Sequence, residues 1–193
     1  MEITTAIQVP CVYFPKRGPD NTEEVLNIVK KRAEELGIKT IVIATTKGDT
    51  ALKAARLFKG YRVIAVTHAH GFRTPDNQEV PEETLADIRE AGGIVFTGTH
   101  IFAATGRAVR KKFQTYEIED IIASTLRVMG DGMKVVCEIA MMAADAGLVR
   151  TDEDIISIAG SGRGADTAVV IKPVNVQNFF DLRVKELLCK PRF

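Results

Sequence analysis

Thr40-Ile41-Val42-Ile43-Ala44-Thr45-Thr46-Lys47-Gly48-Asp49-Thr50-Ala51-Leu52-Lys53-Ala54-Ala55 is the stretch that decides the fold. Its β-branched apolar opening predicts a strand from Lys39 to Thr45, buried on both faces because no polar residue alternates with the apolar ones. The small polar residues after it predict a turn, and a helix follows from about Thr50 to Phe58. Arg62-Val63-Ile64-Ala65-Val66-Thr67 then predicts a second strand. Strand, helix and strand of this length make a βαβ unit, and therefore a parallel pair of strands.

The same alternation extends in both directions. Upstream, Val12-Tyr13-Phe14 is an apolar run, residues 15–21 read as a loop, and a helix begins at Thr22-Glu23-Glu24 with Val25, Ile28, Val29, Ala33 and Leu36 on its apolar face, ending at Gly37. Downstream, Pro81 opens a helix carrying Leu85, Ile88 and Ala91, and Ile94-Val95-Phe96-Thr97 is a short strand. Helices are predicted from Glu117 to Val128 and from Met133 to Ala146, the second apolar enough to be packed on more than one side. Ile155 to Ala159 and Ala168 to Ile171 are further strands, and Val184 to Cys189 reads as an edge strand. The expected fold class is α/β: a three-layer α/β/α sandwich on a mostly parallel sheet, with residues 1–193 forming one domain.

Composition narrows the function classes. The chain has 193 residues, 46% hydrophobic and 26% charged, with a net charge of +1. A near-neutral chain has no global attraction to nucleic acid or anionic membranes. Its one basic run, Arg107, Arg110, Lys111 and Lys112, has no interleaved aromatic residues for base stacking and reads as a solvated helix end. Three widely spaced cysteines, Cys11, Cys137 and Cys189, indicate neither a disulfide framework nor a zinc site. No segment has the length of a membrane span or the pattern of an export signal, so a cytoplasmic location is expected.

The unusual residues gather after strands, where the loops of an open parallel sheet hold ligands. Two loops stand out: Thr45, Thr46, Lys47, Gly48, Asp49 and Thr50, and Gly160, Ser161, Gly162, Arg163, Gly164, Ala165, Asp166 and Thr167. Backbone N–H groups, hydroxyls and the positive end of a helix dipole suit a phosphate, and Arg163 adds a charge-assisted donor. Asn21, Thr22, Thr67, His68, Thr97 and Thr99 are secondary candidates. The first loop lacks the P-loop pattern, so nucleotide hydrolysis has no support. Gly160 to Ala165 formally fits Gly-x-Gly-x-x-Ala, but a strand follows where a dinucleotide fold requires a helix.

Thr45 to Ala51 after a strand, then Val63 to Thr67, then Gly160 to Ile171 resemble, in order and spacing, the carboxyl-terminal alpha/beta domain of pyruvate kinase. The resemblance runs from about Thr22 to Val174 and is greatest to stand-alone versions of that domain. It implies that Thr45, Thr46, Gly48, Thr50, Gly160, Gly162 and Arg163 grip phosphate, since the corresponding loops in many pyruvate kinases hold a sugar bisphosphate effector. Pyruvate kinase catalysis resides in a separate barrel of about 250 residues, for which this chain has no room. Asp49 and Asp166 oppose a bisphosphate unless they turn away or bind hydroxyls. One phosphate on a larger polar or aromatic body, such as flavin mononucleotide, is thus the alternative to a phosphorylated metabolite.

His68, His70 and His100 follow strands and offer acid–base or metal chemistry, but no carboxylate accompanies them at a ligand spacing, so no metal is expected. Glu138, within an apolar helix, reads either as a general acid with a raised pKa or, preferably, as a residue reaching the exposed edge of that helix. The leading function is binding of a phosphorylated small molecule. The alternatives are a small enzyme acting on such a molecule through His68, His70, His100 or Glu138, and an oligomeric interaction subunit. A homo-oligomer is expected because a solitary copy of a normally packed domain exposes apolar surface.

Overall fold

Along β2 (Thr40–Ala44), Ile41 and Ile43 face one side of a sheet and Val42 the other, and all three are fully buried. Helices must therefore cover both faces. The computed structural model describes residues 6–192. On one face, Ile41 and Ile43 pack with Val25, Leu26 and Val29 of α1 (Thr22–Leu36), Ala51 and Ala54 of α2 (Asp49–Leu57), and Ile88 of α3 (Glu82–Glu90). On the other, Val42 joins Ile64 and Val66 of β3 (Arg62–Thr67) and Val136, Ala140 and Ala143 of α6 (Asp131–Asp145). The expected three layers are present.

The remaining strands are β1 (Val12–Phe14), β4 (Ile94–Thr97), β5 (Ile155–Ala159), β6 (Thr167–Lys172) and β7 (Arg183–Pro191). Their order across the sheet is β1-β7-β6-β5-β2-β3-β4. Every neighbouring pair is parallel except the two that involve β6. Six strands thus point their carboxyl ends to one edge, and β6 starts there. From β2 the chain crosses to β3 on one side, and from β5 it turns into β6 on the other. This reversal opens a crevice between the β2 and β5 loops.

One element differs from the sequence reading. The last strand is not an edge: β7 lies between β1 and β6, pairing parallel to β1 through Val12 to Phe14 and Cys189 to Pro191. The edge on that side is the three-residue β1. The basic run is a solvated helix end, as expected: Arg110, Lys111 and Lys112 are exposed in the last turn of α4 (Thr105–Phe113), which lies beside α5 (Ile118–Arg127). In turn, α5 covers the outer side of α6, where Ala123 and the fully buried Met141 share a cluster with Phe102 and Val174. That second layer explains why α6 is apolar nearly all round. Among the described residues no helix is long and apolar enough to cross a membrane.

Met141 joins α6 to the α5 layer with no solvent contact. Met141→Ala is expected to lower unfolding free energy by about 2–5 kcal/mol, a lost side chain plus the cavity left behind, measured by urea denaturation.

Candidate ligand site at the strand ends

The crevice encloses about 150 Å³. One wall is the loop from β2 into α2. There the Thr45 hydroxyl accepts the N–H of Gly48 at 3.1 Å, and the Thr45 N–H donates to the Val66 carbonyl at 2.9 Å, fixing the turn to β3. Gly48 has φ 96°, and a Cβ on it would lie 2.3 Å from Thr84 Cγ2 and 3.0 Å from Val80 Cγ1, so space and backbone both call for glycine. No side chain caps α2, which leaves its first-turn N–H groups and its dipole at the crevice. Thr45, Thr46, Lys47, Asp49 and Thr50 line it.

The facing wall is the β5–β6 loop, whose residues divide into two sets. Gly160, Gly162, Arg163 and Gly164 line the crevice. Ser161, Ala165, Asp166 and Thr167 build the loop instead. The fully buried Asp166 carboxylate accepts the N–H of Gly18 at 3.0 Å, the N–H of Ser161 at 3.1 Å and the Thr167 hydroxyl at 2.8 Å. The Thr22 hydroxyl accepts the Ala165 N–H at 3.0 Å and donates to the Pro19 carbonyl at 2.7 Å. Asn21 donates to the carbonyls of Lys16 and Gly18. Thr22 thus supports the loop directly, and Asn21 braces the segment after β1. Asp166 turns away from the crevice, and its charge is spent on backbone N–H groups.

Arg163 does not stand ready for a ligand. Its Nη2 donates to Asp49 Oδ2 at 2.8 Å, an exposed ion pair spanning the mouth between the two loops. Thr46 adds a long 3.5 Å contact to the Gly162 carbonyl. The two loops that the sequence singled out therefore meet in space. Asp49 and Arg163 neutralise each other at the rim, which leaves Lys47 and backbone groups to face a ligand.

Glu138 differs from both sequence readings. It is only 1% exposed, not at a helix edge, because α5 and the turn after β4 cover that side of α6. Its Oε1 accepts the Phe102 N–H at 3.1 Å, and its Oε2 meets Lys134 Nζ at 2.5 Å and His100 Nδ1 at 3.5 Å. Burial alone would raise its pKa, but the His100 hydrogen bond and the Lys134 ammonium win and hold it at about 2. It is an ionised anchor, not a general acid. Lys134, also buried, has its pKa lowered by burial against the pull of Glu138.

The structure brings together His68 and His100 but not His70. The two rings lie 5.4 Å apart, with Phe72 packed on both at 4.4 and 4.7 Å, whereas His70 is exposed outside the crevice. The Ala69 N–H donates to His100 Nε2 at 3.3 Å, which puts the ring proton on Nδ1, facing Glu138. His68 Nδ1 lies 2.5 Å from Glu79 Oε2. Burial lowers the His68 pKa, with Glu79 acting in the opposite direction. The Thr67 and Thr97 hydroxyls share a 2.6 Å hydrogen bond, and Thr99 is exposed outside the crevice. Among the described residues no three His, Cys, Asp or Glu side chains stand where they could share a metal ion.

Three participants escaped sequence reasoning: Lys134, Glu79 and Phe72. Lys134 had a signal, since it precedes Glu138 by one helical turn and the pair shares a face. Glu79 and Phe72 lie on the long loop from β3 to α3, which has no periodicity to place a side chain.

Glu138→Gln keeps an acceptor for Phe102 but strands the Lys134 charge, and it is expected to cost about 3–5 kcal/mol near neutral pH. Adding Lys134→Met is expected to restore much of the loss. The stabilisation from Glu138 is complete above the ordinary carboxylate value of 4.5 and is lost as pH falls toward about 2, because the folded pKa is the lower one. Thermal unfolding followed from pH 7 to pH 2 is therefore expected to fall less steeply in the glutamine variant.

A structure of pyruvate kinase from Cryptosporidium parvum in complex with ADP is 14% identical, with a TM-score of 0.43, covering 79% of this chain and 24% of that chain. A second pyruvate kinase structure from the same organism is also 14% identical, with a TM-score of 0.42, covering 79% and 23%. The chain thus spans about a quarter of the length of those enzymes. The profile of the family described as "Pyruvate kinase, alpha/beta domain" matches residues 23–171, from the start of α1 through most of β6. The chain belongs to the pyruvate kinase alpha/beta domain family.

Proposed function

We propose that the crevice binds a compact phosphorylated small molecule, with its phosphate against the first turn of α2 and the glycine loop. The observation that carries this reading is the uncapped α2 N-terminus opening on a crevice whose far wall is Gly160, Gly162 and Gly164. The enclosed volume of about 150 Å³ favours a small metabolite. Flavin mononucleotide belongs to the same reading only with its ring system projecting out of the crevice. Native mass spectrometry of freshly purified protein, followed by denaturing release, is expected to yield a phosphorylated molecule, and an ultraviolet–visible spectrum of the released material separates a flavin from other classes. Asp49→Asn removes a negative charge from the rim and releases Arg163. It is expected to tighten binding of inorganic phosphate about threefold in calorimetric titration, a modest gain because the pair is exposed. Arg163→Glu is expected to weaken it. No binding of phosphate or of any phosphorylated metabolite in a panel defeats the reading.

A second reading, self-association, is favoured by one surface. Ile118 and Ile121 on α5 and Val128 just after it are 71%, 60% and 85% exposed, with Phe113 and Tyr116 also exposed just before the helix. These side chains expose on the order of 600 Å² per copy, so two copies meeting about a twofold axis reach the size of a standard interface. Sedimentation velocity is expected to show a dimer or larger species that Ile121→Glu shifts at least tenfold toward monomer. A wild-type protein that stays monomeric at high micromolar concentration defeats this reading.

A further inference from the structure

The crevice holds a titratable pair, His68 and Glu79, beside the two loops of the phosphate reading. His68 lines the cavity together with the α2 loop and the glycine loop. Its Nδ1 is taken by Glu79, whose side chain is 5% exposed and whose other oxygen meets Arg73 Nε at 3.3 Å. The Gln78 amide donates to the His68 carbonyl at 3.3 Å, and Phe72 packs on the ring. The imidazole is thus fixed in orientation and tautomer, and among the described residues its Nε2 has no protein partner. A carboxylate that holds one nitrogen leaves the other to exchange a proton with whatever enters the cavity.

The charges facing His68 show when that proton arrives. Glu79 favours the protonated ring, whereas burial, His100 and Arg73 oppose it, and the balance lies toward the neutral form. Behind His100 stand Glu138 and Lys134, which neutralise each other. Arg107, from α4, lies 4.5 Å from the Phe72 ring. Lys47, Asp49 and Arg163 line the same cavity from the loops, the last two as an ion pair. A doubly charged anion entering this small space adds a large negative charge close to His68, the one histidine there whose outward nitrogen is unengaged.

We propose that His68, oriented by Glu79, is the acid–base group of this site: it stands neutral in the empty cavity and takes up one proton when a phosphate monoester dianion binds. The proton comes from solvent, goes to the Nε2 lone pair, and is held against the ligand as a hydrogen-bond donor. The preferred ligand is then the dianion of a phosphate monoester over a singly charged diester. The inference rests on the phosphate reading of the same crevice. Glu79 is a positioning residue that acts through His68.

The test uses sulfate, whose double charge does not titrate near neutral pH, so every proton taken up comes to the protein. Isothermal titration calorimetry at several pH values between 5.5 and 8, in paired buffers of unlike ionisation enthalpy, measures affinity and proton uptake together. Wild-type protein is expected to take up protons on binding, and its affinity to fall with rising pH by up to about tenfold per unit, the limit for one linked proton. His68→Gln is expected to bind sulfate more weakly and with no proton uptake. Glu79→Gln is expected to retain uptake but displace it to lower pH, because the carboxylate that favours the protonated ring is gone. His70→Gln, changed outside the crevice, is expected to match wild type, and thermal unfolding of each variant checks the fold. Sulfate binding with the same proton uptake in wild type and His68→Gln overturns the role of His68 and leaves the phosphate site standing. No sulfate or phosphate binding by folded wild-type protein overturns both.

Discussion

A buried negative charge organises the inner end of the crevice. Glu138 sits on α6 where the sheet, the turn after β4 and the α5 layer converge, and desolvating a carboxylate there costs several kcal/mol unless it is matched. Lys134, the Phe102 N–H and His100 match it from three directions. Because two of these partners, His100 and Phe102, belong to the turn after β4, satisfying the charge also fixes that turn against α6. Lys134 locks within α6, Phe102 pins the turn, and His100 is held with a defined tautomer against the Ala69 N–H. Phe72 and His68 then pack on that ring.

At the outer end a second buried carboxylate does the same for the glycine loop. Asp166 reaches past its own loop to the Gly18 N–H, so the segment after β1 is tied to the segment after β5 although the two strands are not neighbours in the sheet. Gly164 makes the approach possible: at φ 72°, a Cβ would lie 2.3 Å from Pro19 Cα. The conformational freedom of the glycines is therefore consumed by packing on one side of the loop, and the other side is shaped for a ligand.

The elements legible in the sequence were those whose signal is local. Thr40 to Ala55 contains its own strand pattern, turn residues and helix face, and the crevice loop falls where those signals change. The place of β7 was not legible because it depends on pairing with β1, some 175 residues earlier in the chain. Its exposed Val184 and polar Lys185 and Glu186 resemble an edge, although its last residues are buried on both sides. Glu138 was misread for a related reason. Helical periodicity tells which residues share a face, but not that a second helix layer covers it. His68 was legible as a residue after a strand, whereas its partner Glu79 comes from an aperiodic loop.

The charges around the crevice nearly cancel, and this decides how it can attract an anion. Lys134 is paired with Glu138 and Arg163 with Asp49, while Glu79 lies between His68 and Arg73. Beyond the exposed Lys47 on the rim, the attraction comes from oriented dipoles: the first turn of α2 and the N–H groups of the glycine loop. Such donors are short-ranged and fixed in direction, so they select for shape and hydrogen-bond geometry more than for bulk charge. A site built this way has little positive charge to spare for a second negative charge on its ligand. A group that gains its charge only when the anion arrives supplies the difference without the cost of keeping an unpaired cation buried in the empty state, and a half-buried imidazole held by one carboxylate has the chemistry for that task.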